Sequence, residues 1–309
     1  MKEALRNATL RQLQIFMIAA EHESYARAAS QLHLTQPAIS MQMKRFSEMV
    51  EVDLFVKDGR ELKLTSAGKT LLPYVRQISQ TLREASEELD AIKGARHGLV
   101  KLGMVTTSQY FSPRLIMEFN KHYPEIELEV TIANRRDIST KLESNEIDLA
   151  IMGRPPRQIS VNAEQFYQHP YVVIAAKSHY LAKQSAITAE QLKGEAFLVR
   201  ENGSGTRLLL DTYFIENNLV PPKLYEFTNN ESLKQGVMAG MGLAIISAHT
   251  IHLESSIKLL SVLDLNEMPI MCDWYVLHLS NKILSPATEA FKQFMKGRAP
   301  SYMNCIFNT

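Results

Sequence analysis

Apolar residues near the start of the chain recur at helical spacing, with one short interruption. Ala28 and Ala29 give the first segment a face of small side chains, which can pack closely against a neighbouring helix. After a turn at residues 33–35, helical spacing resumes with three inward-facing positions, Ile39, Met43 and Phe46. A short returning hairpin follows, bracketed by Leu54-Phe55 and Leu64-Thr65. The pattern predicts a winged helix-turn-helix.

The second helix of this motif is the candidate recognition helix. Thr35 is a suitable N-cap because its hydroxyl can accept a backbone N–H, and Pro37 costs no hydrogen bond in the first turn. Short polar and cationic side chains on a protruding helix suit the major groove of DNA, and cations on the hairpin suit phosphates. We predict DNA contacts from Arg27, Thr35, Gln36, Pro37, Ser40, Gln42, Lys44, Arg45, Lys57, Arg60 and Lys63.

Two alternatives to this DNA-binding interpretation stay open. The motif could be reused for protein contacts, and a single cation such as Lys63 could equally be an ordinary surface charge. The interpretation also requires three nearby carboxylates to point away from the phosphates, namely Asp53, Asp58 and Glu61.

A heptad pattern follows the hairpin. Apolar residues alternate at spacings of four and three, and charged residues flank them. This period favours a seam between two helices, although a single amphipathic helix lying on its own domain is the alternative. Pro73 should kink or restart the helix. The predicted dimerisation residues are Leu71, Val75, Ile78, Leu82, Ala85, Leu89 and Ile92.

From Gly98 onward, predicted strands and helices alternate. Strands at 99–105, 126–133 and 148–152, with helices between them, imply a parallel sheet covered on both faces. A second set of elements occupies 171–247 and includes strands at 171–176 and 197–200; a late strand at 273–279 and a helix at 286–296 return to the first set. The predicted fold class is therefore α/β, with two lobes joined by two crossovers. The predicted domains are residues 1–66 for the winged helix-turn-helix, 67–97 for a linker and dimerisation helix, and 98–309 for the two-lobed domain, in which lobe I is 98–167 and 268–297 and lobe II is 168–267.

Three loops should meet in the cleft between the lobes, because ligands bind at the carboxyl ends of strands near crossovers. Glycines, hydroxyls and a helix N-terminus make an anion site, and arginines can clamp a phosphate or carboxylate. The alternative for residues 203–206 is a plain helix-capping loop. The predicted ligand contacts are Thr106, Thr107, Ser108, Arg135, Gly153, Arg154, Glu201, Gly203, Ser204, Gly205, Thr206 and Arg207.

Composition sets loose limits. A chain of 309 residues can form two or three domains, and no apolar run approaches the roughly twenty residues of a membrane span. Because its first residues do not resemble a signal peptide, we expect a cytoplasmic protein. The formal charge is only +1, so any basic surface must be local. Cys272 and Cys305 predict neither a metal site nor a disulfide framework, and a redox switch between them is the alternative.

Catalysis is not predicted. The chain has no G-x-S-x-G, no H-E-x-x-H and no Walker loop, and its nine histidines are dispersed. We expect His169, His249 and His252 to be surface or capping residues. A transport-type binding protein would share the α/β lobes, but it would need a signal peptide and would not need residues 1–66. No cofactor is predicted.

The N-terminal segment resembles the DNA-binding domain of the LysR-type transcriptional regulators. The resemblance implies promoter DNA as a partner, a dimer formed through the helix after the hairpin, and dimers that pair into a homotetramer. It also implies that the two-lobed domain binds an effector and has the fold of periplasmic ligand-binding proteins; RNA polymerase is a further candidate partner. The family's usual Leu-Glu after the recognition helix is Phe46-Ser47 here, and its usual glycine before the hairpin is Glu51, which leaves the local backbone open. The matching residues are Leu10-x-x-Leu13-x-x-Phe16, Ser24-Tyr25, Ala28-Ala29-x-x-Leu32, Thr35-Gln36-Pro37-Ala38-Ile39-Ser40, Leu54-Phe55-x-Lys57 and Leu64-Thr65-x-x-Gly68.

Parts of the two-lobed domain resemble a subgroup of that family, the regulators of the RuBisCO operon and related carbon-fixation genes (CbbR type). The similar segments are 106–115, 134–138 and 149–156, and the resemblance covers nearly the whole chain apart from the tail after Gly297. It implies an anionic metabolite as effector, such as a sugar bisphosphate, a small phosphorylated acid or NADPH. The alternatives are a LysR-type regulator of another pathway that senses a different organic anion and, outside the regulators, a cytoplasmic small-molecule binding protein.

Overall fold

A computed structural model describes residues 4–58, 61–92 and 97–307. The chain divides into two compact units, one built mainly from residues 1–86 and the other mainly from the remainder. Within the described ranges, no helix has the length and apolar character needed to cross a membrane.

The N-terminal unit is a winged helix-turn-helix. Its core is closed by Phe16, Phe46 and Phe55, whose rings meet edge-on or tilted at centroid distances of 5.4–6.0 Å. After a short 3₁₀ turn at Ala4–Asn7, the elements are α1 (Leu10–His22), α2 (Tyr25–Gln31), α3 (Gln36–Val50), β1 (Phe55–Asp58), β2 (Glu61–Leu64) and α4 (Ser66–Ile92).

Local sequence signals set the geometry of this motif. The hydroxyl of Thr35 accepts the N–H of Ala38 at 3.4 Å, so the predicted N-cap is confirmed. Ala28 and Ala29 are buried, as the small-residue face requires. Glu51, which stands where the resembling family has glycine, caps α3 in the left-handed conformation with φ of 58°. The Glu51 backbone thus adopts the left-handed conformation that a glycine would favour at this position.

The heptad helix differs from its prediction at two points. It runs from Ser66 to Ile92 as one helix that contains Pro73, so the predicted restart at the proline is wrong. Val75 is fully buried in the core of its own unit, and Leu71 packs against the same core. Ile78, Leu82 and Leu89 are 43%, 48% and 60% exposed, whereas the side chain of Ile92 lies outside the described part. The apolar seam therefore separates into a part that serves the N-terminal unit and an exposed part.

The second unit has two lobes. Lobe I contains β3 (Gly98–Val105), α5 (Ser112–His122), β4 (Ile126–Ala133), α6 (Arg135–Glu143), β5 (Leu149–Met152), the first half of β6 (Val161–Ala176), β11 (Ile270–Leu279), α10 (Pro286–Gly297) and α11 (Ala299–Phe307). Lobe II contains the second half of β6, β7 (Phe197–Arg200), α7 (Gly205–Glu216), β8 (Leu224–Phe227), α8 (Asn230–Met238), β9 (Ala244–Ser247), α9 (His252–Ser256) and β10 (Leu260–Val262).

The main sheet is mixed rather than parallel. Its order is β10-β6-β11-β5-β3-β4, and β9 also pairs with β6. β3 pairs in parallel with β4 and β5, as the alternation of strands and helices predicts. β11 is antiparallel to β5 and β6, because the chain returns from lobe II in the opposite direction.

Two strands connect the lobes. β6 pairs with β11 over residues 161–171 and with β9 and β10 over residues 171–176, so a single strand of 16 residues belongs to both lobes. At the crossing, His169 of β6 is opposite Cys272 of β11. The middle of this strand pair therefore forms the floor of the space between the lobes.

The tail after Gly297 is part of lobe I. Ala299, Met303 and Ile306 of α11 belong to the same core cluster as Phe291 of α10 and Trp274 of β11. Phe307 then stacks on His249 of lobe II, with ring centroids 3.7 Å apart and the planes nearly parallel at 2°. The last helix is thus a structural element that contacts both lobes.

Candidate functional site

Most of the proposed DNA contacts are exposed on α2, α3 and the hairpin of the N-terminal unit. Ile39, Met43 and Phe46 hold α3 against the core, which turns the opposite side of the helix to solvent. Gln42 is half-buried at the flank of that helix. The exposed members of the predicted set are Arg27, Thr35, Gln36, Pro37, Ser40, Lys44, Arg45, Lys57 and Lys63. Arg60 lies outside the described residues.

Two of these cations have carboxylate neighbours. Lys44 lies 3.8 Å from Glu48 one turn along α3, and Lys63 lies 3.6 Å from Glu61 on the same strand. The Glu61 carboxylate therefore lies beside the Lys63 ammonium. Its orientation away from the DNA phosphates, which the DNA-binding interpretation requires, stays a prediction. Both pairs are exposed, and exposed ion pairs contribute only about 0–1 kcal/mol. DNA phosphates can compete for either lysine.

A second candidate site is a pocket between the two lobes, and we call it the cleft pocket. Its cavity volume is about 60 Å³, so it suits a ligand of few atoms. Lobe I, lobe II and the crossing strands all contribute to its wall. The lining residues are Val105, Thr106, Thr107, Arg135, Gly153, Arg154, His169, Tyr171, Ser204, Gly205, Thr206, Leu208, Leu209, Cys272 and Trp274.

The described lining of the cleft pocket is cationic. It contains two arginines, Arg135 and Arg154, and no carboxylate. Neither arginine forms a salt bridge with a described residue; the Arg135 guanidinium donates only to the carbonyl oxygens of Arg154 and Pro155. Burial, reinforced by the charge of Arg154, lowers the pKa of Arg135. Two adjacent guanidiniums without a counter-charge favour binding of an anion.

The N-terminus of α7 opens into this pocket. Ser204 occupies the N-cap position, but its side chain makes no capping hydrogen bond. The N–H groups of Gly205 and Thr206 have no acceptor inside the helix, since the first turn of any helix lacks one. Unpaired N–H groups and the positive end of the helix dipole together favour an anion here.

Tyr171 connects the two sides of the pocket. Its hydroxyl lies 3.4 Å from the Thr206 hydroxyl of lobe II, and it also contacts Thr107 of lobe I. Burial raises the pKa of this phenol to about 12, so it stays neutral at ordinary pH. It can therefore donate a hydrogen bond, or accept one, at the junction of the lobes.

His169 is a pocket residue that the sequence pattern did not identify. The expectation that His169 and His249 are surface or capping residues is wrong, because they are only 1% and 5% exposed. The ring of His169 stacks on Trp274 at a centroid distance of 4.6 Å, and its Nδ1 lies 2.9 Å from the Ser247 hydroxyl. Its Nε2 has no partner among the described residues. An unpaired buried polar group costs about 1–3 kcal/mol, so this nitrogen marks a place for a ligand atom.

Tyr171, Cys272 and Trp274 were also missed. They lie on β6 and β11 at the crossing between the lobes. No local motif marks these positions, because only the pairing of two strands distant in sequence brings them to the pocket floor. The available signal was a polar residue, His169, two positions before the predicted apolar strand that begins at Tyr171.

Four predicted ligand contacts do not line the cleft pocket. The Arg207 guanidinium is held by Asp211 at 2.8 Å, by Glu226 and by the Arg200 carbonyl, and Glu201 is paired with the buried Arg200. Ser108 is fully buried beside the pocket, and Gly203 forms part of its rim. Existing ion pairs therefore occupy the charges of Arg207 and Glu201.

The rim is closed by contacts between the lobes. The N–H of Arg136 at the start of α6 donates to the Gly203 carbonyl at 3.2 Å. Gly203 has φ of 98°, and a Cβ placed on it would lie 3.1 Å from Nε of Arg136. A second contact joins the Tyr110 hydroxyl to Glu231 of α8 at 2.6 Å. A ligand in the pocket would thus contact both lobes where they already meet.

These features define a class of protein, a winged helix-turn-helix unit joined to a two-lobed domain with a cationic pocket between its lobes. The chain matches the family of bacterial regulatory helix-turn-helix proteins of the lysR type over residues 10–69, and the LysR substrate binding domain over residues 93–300. It belongs to the LysR family of transcriptional regulators.

Similar proteins support this assignment over nearly the whole length. The chain is 43% identical to the HTH-type transcriptional regulator CbbR of Rhodospirillum rubrum, over 94% of this chain and 96% of that protein. It is 40% identical to a RuBisCO operon transcriptional regulator of Allochromatium vinosum, over 97% and 99% of the two chains. The CcmR regulatory domain of Synechocystis PCC6803, solved in complex with 2-PG, is 38% identical and superposes with a TM-score of 0.63 over 66% of this chain and 100% of that one. The chain is thus a regulator and not an enzyme.

Proposed function

We propose that this LysR-family regulator controls carbon-fixation genes, with the RuBisCO operon as the first candidate target, in response to a small anion in the cleft pocket. The relatives named for CbbR and the RuBisCO operon support the target, since the similarity extends over both units. Such a protein acts on promoter DNA in the cytoplasm, as a dimer that can pair into a tetramer. RNA polymerase is a further partner in this proposal.

One observation supports the anionic effector most directly. The cleft pocket has two arginines without salt-bridge partners among the described residues, no carboxylate in its described lining, and the uncapped N-terminus of α7. All three features attract negative charge. The 2-PG complex of the Synechocystis domain makes 2-PG the first compound to test.

The pocket test is a calorimetric titration of the full-length protein with 2-PG, sugar bisphosphates, NADPH and small carboxylic acids. We expect one of these anions to bind wild type, and Arg154→Gln to weaken that binding at least tenfold, because the cation would be lost without opening the core. Arg157→Gln is the matched control, since Arg157 is exposed and does not line the pocket. The effector proposal fails if no anion binds, or if both variants bind as wild type does.

The DNA test uses a RuBisCO operon promoter fragment. Gln36→Ala should relax preference at one base pair and cost about 1–3 kcal/mol, because Gln36 would read a base edge. Lys44→Ala should weaken binding to all sequences and reduce the dependence of affinity on salt, because Lys44 would contact a phosphate. Anisotropy titrations at several salt concentrations measure both effects. Unchanged affinity and salt dependence in both variants would contradict the assignment of α3.

A further inference from the structure

His169 is positioned to contact a ligand at the pocket floor. It lies in the middle of β6, with its ring stacked on Trp274 and its Nδ1 bonded to the Ser247 hydroxyl. Both contacts fix the ring plane. The free Nε2 faces the pocket wall at Gly153, where a Cβ would lie 3.6 Å from it. A buried polar atom without a partner among the described residues therefore lies beside Gly153, and both residues line the cleft pocket.

The surroundings of His169 favour its neutral form. Burial, with the nearby His249 as the second cause, lowers its pKa to about 3. A neutral imidazole has one N–H donor and one acceptor nitrogen. The Ser247 hydroxyl has no other partner among the described residues, so it can donate to Nδ1 and leave the proton of His169 on Nε2. The pocket floor then presents an N–H donor that carries no charge.

The two ends of the pocket thus differ in character. At one end are the two guanidiniums and the N-terminus of α7, which suit a fully charged oxyanion. At the floor is a neutral donor. The two are separated by Tyr171, whose ring centroid lies 5.0 Å from that of His169 and whose hydroxyl reaches Thr206. A ligand spanning this distance must be short and must carry oxygen atoms at both ends.

We propose that His169 is a specificity-determining residue of the effector pocket, and that its Nε2–H donates to a second oxygen-bearing group of a small phosphorylated carboxylic acid whose other group lies at the α7 end. The inference rests on the proposed function, and it deepens that function by naming the residue that would distinguish a phosphorylated carboxylic acid from a plain phosphate ester. A simple phosphate occupies only the charged end, and a phosphate ester without a carboxylate gains nothing at His169.

The test compares two ligands and three variants by calorimetry on the full-length protein. The ligands are phosphoglycolate, which is the phosphate ester of a two-carbon hydroxy acid, and ethyl phosphate. Ethyl phosphate has a similar size but lacks the carboxylate. His169→Leu should lower the affinity for the phosphorylated acid at least tenfold and leave the affinity for ethyl phosphate within twofold of the wild-type value. His169→Gln should recover most of the loss, because its amide also offers an N–H donor. His278→Leu should leave both affinities unchanged, since His278 is a buried histidine that does not line the pocket.

Each outcome bears on the proposal. Equal losses for both ligands would show that His169 only shapes the pocket, and unchanged affinity for the phosphorylated acid would show that it makes no contact; either result overturns the proposal. If the wild-type protein binds another anion but not the phosphorylated acid, the proposed ligand class is wrong and the proposed function is unaffected. Wild type that binds no anion contradicts the proposed function itself.

A spectroscopic measurement tests the tautomer independently of affinity. Nitrogen-15 spectra of histidine-labelled protein at pH 7 should show a neutral His169 with its proton on Nε2, both free and with ligand. His169→Gln identifies the signal by its disappearance. A proton on Nδ1, or a charged ring in the complex, would overturn the donor role. Thermal unfolding and promoter binding of each variant verify that it is folded.

Discussion

At the scale of single residues, Gly68 occupies a sterically tight position of the winged motif. A Cβ at this position would lie 2.3 Å from the Leu54 carbonyl oxygen and 2.7 Å from Cδ2 of Leu64. Its N–H donates to the Thr65 hydroxyl at 3.1 Å, and Thr65 in turn donates to the Asp53 carbonyl at 2.6 Å. The Leu64-Thr65-x-x-Gly68 segment therefore fixes the start of α4 against the hairpin.

Replacing Gly68 by alanine should destabilise the N-terminal unit. The added methyl group meets backbone, which cannot rotate away, so we expect a loss of about 1–3 kcal/mol in the free energy of unfolding. Gly194→Ala is the control, because a Cβ there meets nothing within 4 Å. Urea unfolding of the full-length protein measures both, and equal stability of the two variants would contradict the packing described here.

The buried histidines predict a dependence of stability on pH. Burial lowers the pKa of His249 to about 4, from an ordinary value of 6.5. Because the unfolded chain binds the proton more tightly, this contribution to stability is complete above pH 6.5 and is lost as the pH falls towards 4. His249→Phe keeps a ring against Phe307 but removes the titration. We expect its unfolding free energy to fall less between pH 7 and pH 5 than that of wild type, by up to roughly 1.4 kcal/mol per pH unit. Parallel pH profiles for the two proteins would contradict this.

Residue types at local positions were predictable, and residues assembled across the sheet were not. Thr35 is an N-cap because a hydroxyl precedes a helix, and this can be inferred from three or four neighbouring residues. The ligand-facing role of His169 depends on Trp274, Ser247 and Gly153, which are distant in sequence. Arg207 satisfied the local signal for an anion clamp, but Asp211 and Glu226 engage it in the folded state.

At the scale of elements, most helices and strands follow from periodicity, and the crossing strands do not. β7 occupies the predicted residues, and α10 extends one residue beyond its prediction. β6 was predicted only from Tyr171, whereas it begins at Val161. Only Phe166 is buried among residues 161–168, whereas residues 171–176 are all buried. The apolar pattern that predicts a strand is therefore present only in the second half of β6.

The exposed part of α4 predicts a helix-to-helix contact. Leu82 is 48% exposed on the apolar seam, so replacing it by aspartate should place an unpaired charge in the dimer contact. We expect the dimer to weaken by roughly 2 kcal/mol or more, which corresponds to an increase of about thirtyfold in its dissociation constant. Gln77→Asp is the matched control, because Gln77 is an exposed residue of the same helix outside the apolar seam. Sedimentation that shows the same assembly for both variants would remove the proposed dimer contact.

At the scale of the whole molecule, the proposed regulation requires that a ligand distinguish two arrangements of the lobes. Only a difference in affinity between those arrangements can shift the protein, and a coupling of about 1–3 kcal/mol is typical. The cleft pocket meets this requirement because Thr107 of lobe I and Thr206 of lobe II both line it, with Tyr171 between them. A ligand there contacts both lobes at once.

The most direct test of this account measures promoter affinity with and without effector in wild type and in Thr107→Phe. Thr107 is 6% exposed and lines the pocket, so a larger side chain should fill the ligand space, and the substitution leaves every residue of the N-terminal unit unchanged. We predict that 2-PG, or the tightest anion found by calorimetry, changes the affinity of wild type for the RuBisCO operon fragment about fivefold or more. Thr107→Phe should bind the fragment as wild type does without effector and should not respond to it. An effector response that is absent in wild type, or equal in the variant, would contradict the proposed switch.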